Sequence, residues 1–250
     1  MKKTAEDKIM DTVKFYKKET KVIAHRGLSG IERENTCPAF VAAGNRSYYG
    51  IETDVHVGYD GEFIVIHDSR TGRVSGGAFD IDVEATPYDA IKELVLPDKD
   101  GSFVREDIRI PVLEEYISIC KKYEKKAVLE IKDGFSEQNI IGVIRKIKLL
   151  DYLDNVIFIS FDHNACLTVR AFLPNATVQF LTGNYDDSLP ERLESERLDL
   201  DIHYSALTEE RIKALHGRGI KVNCWTVDDP ETAEKLASWG VDFITSNILE

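Results

Sequence analysis

The chain of 250 residues predicts an α/β fold, a TIM (β/α)8 barrel, from three patterns. Apolar runs of strand length alternate with helical periodicities. The runs are almost continuously apolar, as strands buried on both faces of a parallel sheet must be. Charged and imidazole groups gather where runs finish, in KVIAHRG, GIETDVHV and EFIVIHD, and a parallel barrel carries its reactive groups at the carboxyl ends of its strands. One domain over 1–250 accommodates this pattern.

Taken in order, residues 1–20 place apolar Ile9, Val13 and Tyr16 at helical spacing and predict a short amphipathic helix over one end of the fold. Strands are expected at 22–25, 50–55, 127–131, 156–161, 177–181, 198–202, 220–225 and 241–245. Helices are expected near 37–46, 112–123, 136–149, 163–172, 189–196, 209–218 and 230–239. Pro111 and Pro230 suit early helical positions, Ser136 and Thr208 suit N-caps, and Gly219 and Gly240 follow last turns. Asp60-Gly61 signals a two-residue hairpin, so EFIVIHD should fold back antiparallel on the strand before it. That register sets Tyr59 against Glu62, Val57 against Ile64 and Asp54 against His67, on one face with Glu52. Residues 69–110 have little strand character and are too long for a plain connection. They read as a small insertion, after the second strand and its hairpin, lying over the barrel mouth.

The net charge of −12 argues against nucleic acid as a partner. A small phosphate ester remains compatible, because a bound cation reverses the local sign. No run reaches the length of a membrane span, and the N-terminal lysines precede no apolar stretch, so neither stable membrane insertion nor a secretory leader is expected. Cys37, Cys120, Cys166 and Cys224 form no CxxC pair and read as buried free thiols, which points to the cytoplasm. Self-association is left open.

Glu130 and Lys132 end a third strand, AVLEIK, next in barrel order to that of Glu52 and Asp54. Three converging carboxylates repel one another unless a cation sits among them. Oxygen ligands alone select a hard ion, Mg²⁺ or Ca²⁺. The bland alternative pairs each acid with Arg26, Lys132 or a surface lysine; three acids on adjacent strand ends favour the metal. His25 and His67, each beside a charged residue, have the pKa range for proton transfer near neutrality. Arg26 and Lys132 can balance the acids and clamp a phosphate. Phe161 and Trp225 end two strands and pack the core or wall the pocket. His56 reads as structural or supporting, His163, His203 and His216 as structural, and Glu34-Asn35-Thr36 as a helix cap.

AHRG, a following ENT, GIETDV, a DG turn, IHD, P-x-LEE, LEIK, ISF, WTV and GVDFIT occur in that order between Val22 and Asn247. This ordered set resembles the glycerophosphodiester phosphodiesterase family. The resemblance implies a TIM barrel with one divalent cation that cleaves a small glycerophosphodiester to glycerol 3-phosphate and an alcohol. It implies that His25 and His67 are general acid and base, in either order. By the same resemblance Glu52, Asp54 and Glu130 hold metal, while Arg26 and Lys132 bind phosphate. Thr53, Arg33 and the Ser246-Asn247 ending depart from the family's usual residues, with Thr53 expected to point away from the site. Three rivals stand beside this reading: a related barrel acting on lysophospholipids or phosphoinositol compounds, a non-catalytic phosphodiester-binding barrel, and an unrelated metal-dependent barrel such as a sugar-phosphate isomerase.

Overall fold

The computed structural model describes residues 11–250. Eight parallel strands, β1 (Lys21–Ala24), β2 (Gly50–Val57), β4 (Lys126–Ile131), β5 (Val156–Ser160), β6 (Thr177–Thr182), β7 (Asp199–His203), β8 (Val222–Trp225) and β9 (Phe243–Ser246), close into a barrel through β1–β2 and β1–β9 pairing. A ninth strand, β3 (Phe63–Val65), lies antiparallel on β2. Helices α1 (Cys37–Gly44), α3 (Leu113–Lys122), α4 (Glu137–Leu149), α5 (His163–Phe172), α6 (Leu189–Glu196), α7 (Glu209–His216) and α8 (Pro230–Ser238) separate the barrel strands, and a one-turn α2 (Tyr88–Ile91) lies in the insertion. Every barrel strand and every helix outside the insertion lies within two residues of its expected bounds.

The alternation of strand side chains sorts two layers. Ile23, Val128, Ile157, Ile159, Leu181 and Phe243 fill the barrel interior, while Val22, Ala24, Ile51, Val55, Ala127 and Leu129 join the larger core that includes the helices. Because Ile51 and Val55 face the helices, Glu52 and Asp54 face inward; Glu130 does so between Leu129 and Ile131. Phe40 on α1 is fully buried and meets the Tyr116 ring edge-on at 5.1 Å. Phe40→Ala is therefore expected to remove about 3–5 kcal/mol of stability, seen as a lower urea midpoint. A loss below about 1 kcal/mol would contradict this packing.

Caps follow the chemistry of the termini. Ser136 and Thr208 accept from the backbone N–H of Asn139 and Arg211, and Pro230 opens α8. Pro111 instead lies just ahead of the α3 N-cap, Val112. The expected N-terminal helix is not present over 11–20, and Ile9 lies outside the described residues. Val13 donates to the Ile248 carbonyl at 3.0 Å and accepts from Glu250 N–H at 3.0 Å. This pairing with the C-terminal residues holds the segment extended and overrides a weak periodicity. Tyr16, expected on the buried face, is 72% exposed.

The hairpin register also differs. Its loop has three residues, 59–61, with Gly61 at φ +82° and Gly58 N–H bonded to the Glu62 carbonyl at 2.7 Å. This is a type I turn followed by a left-handed residue, the next hairpin solution after the two-residue turn. The pairs become Val55–Val65, His56–Ile64 and Val57–Phe63, so Asp54 lies opposite Ile66 rather than His67. The other edge of β3 is covered by the chain before α3: Val65 N–H donates to the Pro111 carbonyl, and Ile64 bridges Val112. Ile64 and Ile66 join Val74, Val83, Ile91, Leu96, Ile108 and Ile110 in a small separate core that organises residues 69–110.

Candidate active site

Parallel register brings the acids together. Asp54 on β2 is the direct partner of Glu130 on β4, and Glu52 precedes Asp54 by one period on the same face. One ligand oxygen from each of Glu52, Asp54 and Glu130 lies within 4.8 Å of the others, and all three side chains are buried. Lys132, just past the end of β4, places Nζ 2.8 Å from Asp54 Oδ1 and 2.7 Å from Glu130 Oε1. Arg26 follows β1 with φ +55°, a conformation unusual for a side-chain-bearing residue. That turn aims its backbone N–H at Glu52 Oε2, 2.8 Å away, while its guanidinium reaches Glu34 at 2.8 Å and Asp54 at 3.5 Å. Gly27 continues the turn at φ +73°; an added Cβ would lie 2.7 Å from the Ala39 backbone carbon, so the close crossing over α1 requires glycine.

Burial of three like charges sets their protonation. Glu52 is pushed well above the carboxylate range by burial, then by Asp54 and Glu130. Burial and the adjacent Asp54 raise Glu130 to about 7. Asp54 resists its burial and stays below the ordinary range because Lys132, Arg26 and His67 face it. Ionised together, the three carboxylates would carry an excess of negative charge over the two cations Lys132 and Arg26. An all-oxygen donor set with that excess fits a hard divalent cation.

His25 and His67 reach the same cavity from different directions. A pocket of about 160 Å³ is lined by both imidazoles with Arg26, Glu52, Glu130 and Asp201. His25 pairs Nδ1 with Asn247 Oδ1 at 2.8 Å, and Asn247 Nδ2 donates to Asp228 at 2.6 Å. A carboxylate only accepts, so this amide presents its oxygen to His25, and the imidazole proton sits on Nδ1. Burial, reinforced by Arg26, lowers His25 to about 4. His67 pairs Nδ1 with Asp68 at 2.6 Å. Burial lowers its pKa too, against the pull of Asp54. His67 arrives by a bend after Ile66, where His56 Nε2 donates to the His67 carbonyl at 3.0 Å, rather than by hairpin register. His56 Nδ1 is occupied by Glu84 at 2.7 Å, a supporting role.

Several residues to which the sequence reading gave no role at the site contribute to it. Thr36 caps α1, but Asn35 does more: held at φ +53°, it donates to Asp54 Oδ2 at 2.8 Å. Thr53 faces away from the acids, yet its hydroxyl orients the Asn35 amide at 2.6 Å. Glu34 is held at about 2 against its burial by hydrogen bonds from Arg73 and the charge of Arg26. Asp201 on β7 is buried and raised well above the usual range, first by burial and then by Glu130.

Ile159, Phe161, Leu181 and Trp225 form an apolar side of the pocket. The Phe161 and Trp225 rings meet edge-on at 5.7 Å, and His203 packs edge-on against Trp225 at 5.2 Å. Both aromatics therefore stand at the cavity; Phe161 is 43% exposed. His163 and His216 pair with Glu196 and Asp242 and do not line this pocket.

Known proteins share the overall fold of this chain. A solved phosphodiesterase of Oleispira antarctica, in complex with the product sn-glycerol-3-phosphate, superposes with a TM-score of 0.82 at 27% identity, over 91% of this chain and 92% of that one. A glycerophosphodiester phosphodiesterase of Parabacteroides distasonis gives a TM-score of 0.75 at 29% identity, over 93% and 94%. In sequence, a glycerophosphodiester phosphodiesterase of Caldanaerobacter subterraneus subsp. tengcongensis is 32% identical over 237 residues, covering 92% of this chain and 94% of that one. The model of the glycerophosphoryl diester phosphodiesterase family matches residues 25–249, almost the whole barrel. With the fold, the strand-end motifs and these relatives in agreement, the chain belongs to the glycerophosphoryl diester phosphodiesterase family.

Proposed function

We propose that this chain is a metal-dependent glycerophosphodiester phosphodiesterase that releases sn-glycerol 3-phosphate and an alcohol. The observation that carries the reading is the convergence of Glu52, Asp54 and Glu130, of which Glu52 and Glu130 line one cavity with two imidazoles whose Nδ1 atoms are already engaged. Nε2 is then the titrating atom of each ring. One imidazole takes the proton of the attacking hydroxyl, and the other gives a proton to the departing alkoxide oxygen. The attacker is the glycerol 2-hydroxyl, giving a cyclic phosphate that water opens, or water itself. Arg26 and Lys132 offset negative charge on the phosphoryl oxygens. Glu52, Asp54 and Glu130 would hold Mg²⁺ or Ca²⁺, whose chemistry there is Lewis-acid polarisation of a phosphoryl oxygen. The buried free thiols Cys120, Cys166 and Cys224 support work in a reducing cytoplasm. Among the described residues no helix is long and apolar enough to cross a membrane.

The test is release of sn-glycerol 3-phosphate from glycerophosphocholine. Chelation is expected to abolish release, and added Mg²⁺ or Ca²⁺ to restore it; unchanged activity in chelator would reject the metal. The apolar side formed by Ile159, Phe161, Leu181 and Trp225 favours a second reading, in which the alcohol carries an acyl chain. Lysophosphatidylcholine assayed in parallel separates the two by kcat/KM.

A further inference from the structure

Arg73, in the insertion, lies outside the acid cluster but touches the partners of two groups at the site. Its Nη1 and Nη2 donate to Glu34 at 2.8 and 2.9 Å, and its Nε donates to Asp68 at 2.6 Å. Glu34 also accepts from Arg26 Nη1 at 2.8 Å, and Asp68 holds His67 Nδ1 at 2.6 Å. One guanidinium thus bridges two carboxylates, each of which orients a different group at the cavity. Arg73 and Arg26 against Glu34 and Asp68 make a charge-balanced chain of four. The insertion is tied to the loop after β1 at further points: Arg33 donates to the Pro97 and Asp98 carbonyls at 2.7 Å, and Arg105 pairs with Glu32 at 2.7 Å.

We propose that Arg73 is a positioning residue that sets His67 through Asp68 and Arg26 through Glu34, so that the insertion builds part of the reaction geometry. The proposal rests on the catalytic reading of His67. Arg73 is 46% exposed by side chain, and exposed ion pairs contribute little to stability. Its effect should therefore appear in turnover, because small displacements of reacting groups cost up to about 10²-fold in rate. Arg73 makes its three contacts from three nitrogens of one rigid planar fork, a geometry that a single ammonium on a flexible stem does not reproduce, so lysine should not restore what glutamine removes.

The experiment compares the full chain with Arg73→Gln, Arg73→Lys, Asp68→Asn and the Asp68→Asn/Arg73→Gln pair. Expected are kcat losses of about 10–100-fold for both Arg73 variants with little change in Tm, and a double variant no worse than its more damaged single. Nitrogen-edited NMR of the imidazoles supplies a readout independent of turnover. The His67 Nδ1 proton, held downfield by Asp68 in the parent, should weaken or shift in Arg73→Gln. Parent-like kcat in Arg73→Gln, recovery by lysine, additive losses or an unchanged His67 ring signal would each overturn the proposal. So would failure of both Arg73 variants to fold, since Arg73 would then be a structural tie. A parent that cleaves no diester would instead overturn the phosphodiesterase reading, while the ring signal still decides the placement of His67.

Discussion

Alanine in place of His67 or of His25 is expected to lower kcat by about 10²–10⁴-fold, the usual contribution of a general acid or base. The fold should tolerate both changes, because each ring sits at the mouth on partners that remain bonded elsewhere: Asn247 keeps Asp228 and Ser29, and Asp68 keeps Arg73. The two losses should differ in pH dependence. His25 is buried to a pKa of about 4 and pairs with a neutral amide, whereas His67 pairs with a carboxylate that stabilises its cation. Steady-state kinetics on glycerophosphocholine across pH would show each variant losing a different limb of the profile. Turnover within about threefold of the parent in either variant would remove that imidazole from the mechanism.

Asp54→Asn is the second large effect. Asp54 adjoins Glu130 across the strand pair and is the acid that Lys132, Arg26 and Asn35 together hold ionised. Loss of its charge should weaken cation binding and reduce kcat by about 10³-fold, the consequence of several kcal/mol lost at about 1.4 kcal/mol per decade. The same variant has a readout without substrate. Added Mg²⁺ or Ca²⁺ should raise the Tm of the chelated parent, by about 2.7 kcal/mol of stability at a hundred times Kd, and leave the variant nearly unmoved. A variant stabilised by the cation as strongly as the parent would place the ion elsewhere.

The barrel was legible because a buried parallel strand has a composition nearly independent of its neighbours, and because caps such as Ser136 and Thr208 bond within their own helix turn. The acid cluster was legible for a related reason: period-two alternation and strand adjacency suffice to bring Asp54 beside Glu130. What failed was information carried across distance. Asp60-Gly61 signals a turn but does not distinguish two loop residues from three, and that one residue moved Ile66 into the place assigned to His67. His67 still arrives at the cavity, through a bend anchored by His56, so the correct outcome had the wrong cause. Val13 carries helical spacing, but its backbone bonds lie at Ile248 and Glu250, on the far side of the chain. Asn35, Asn247 and Arg73 act through partners between 5 and 222 positions away, and such pairings leave no local trace in the sequence.

The strand β2 is bordered on one side by β1 over its first residues and by β3 over its last, and the segment before α3 then covers β3. Among the described residues, a sheet closed in this way leaves no extended row of vacant amides and carbonyls on which a foreign strand could template itself. Crowding at high concentration should thus find little purchase for ribbon-like growth, and any meeting of two copies would have to run through side chains.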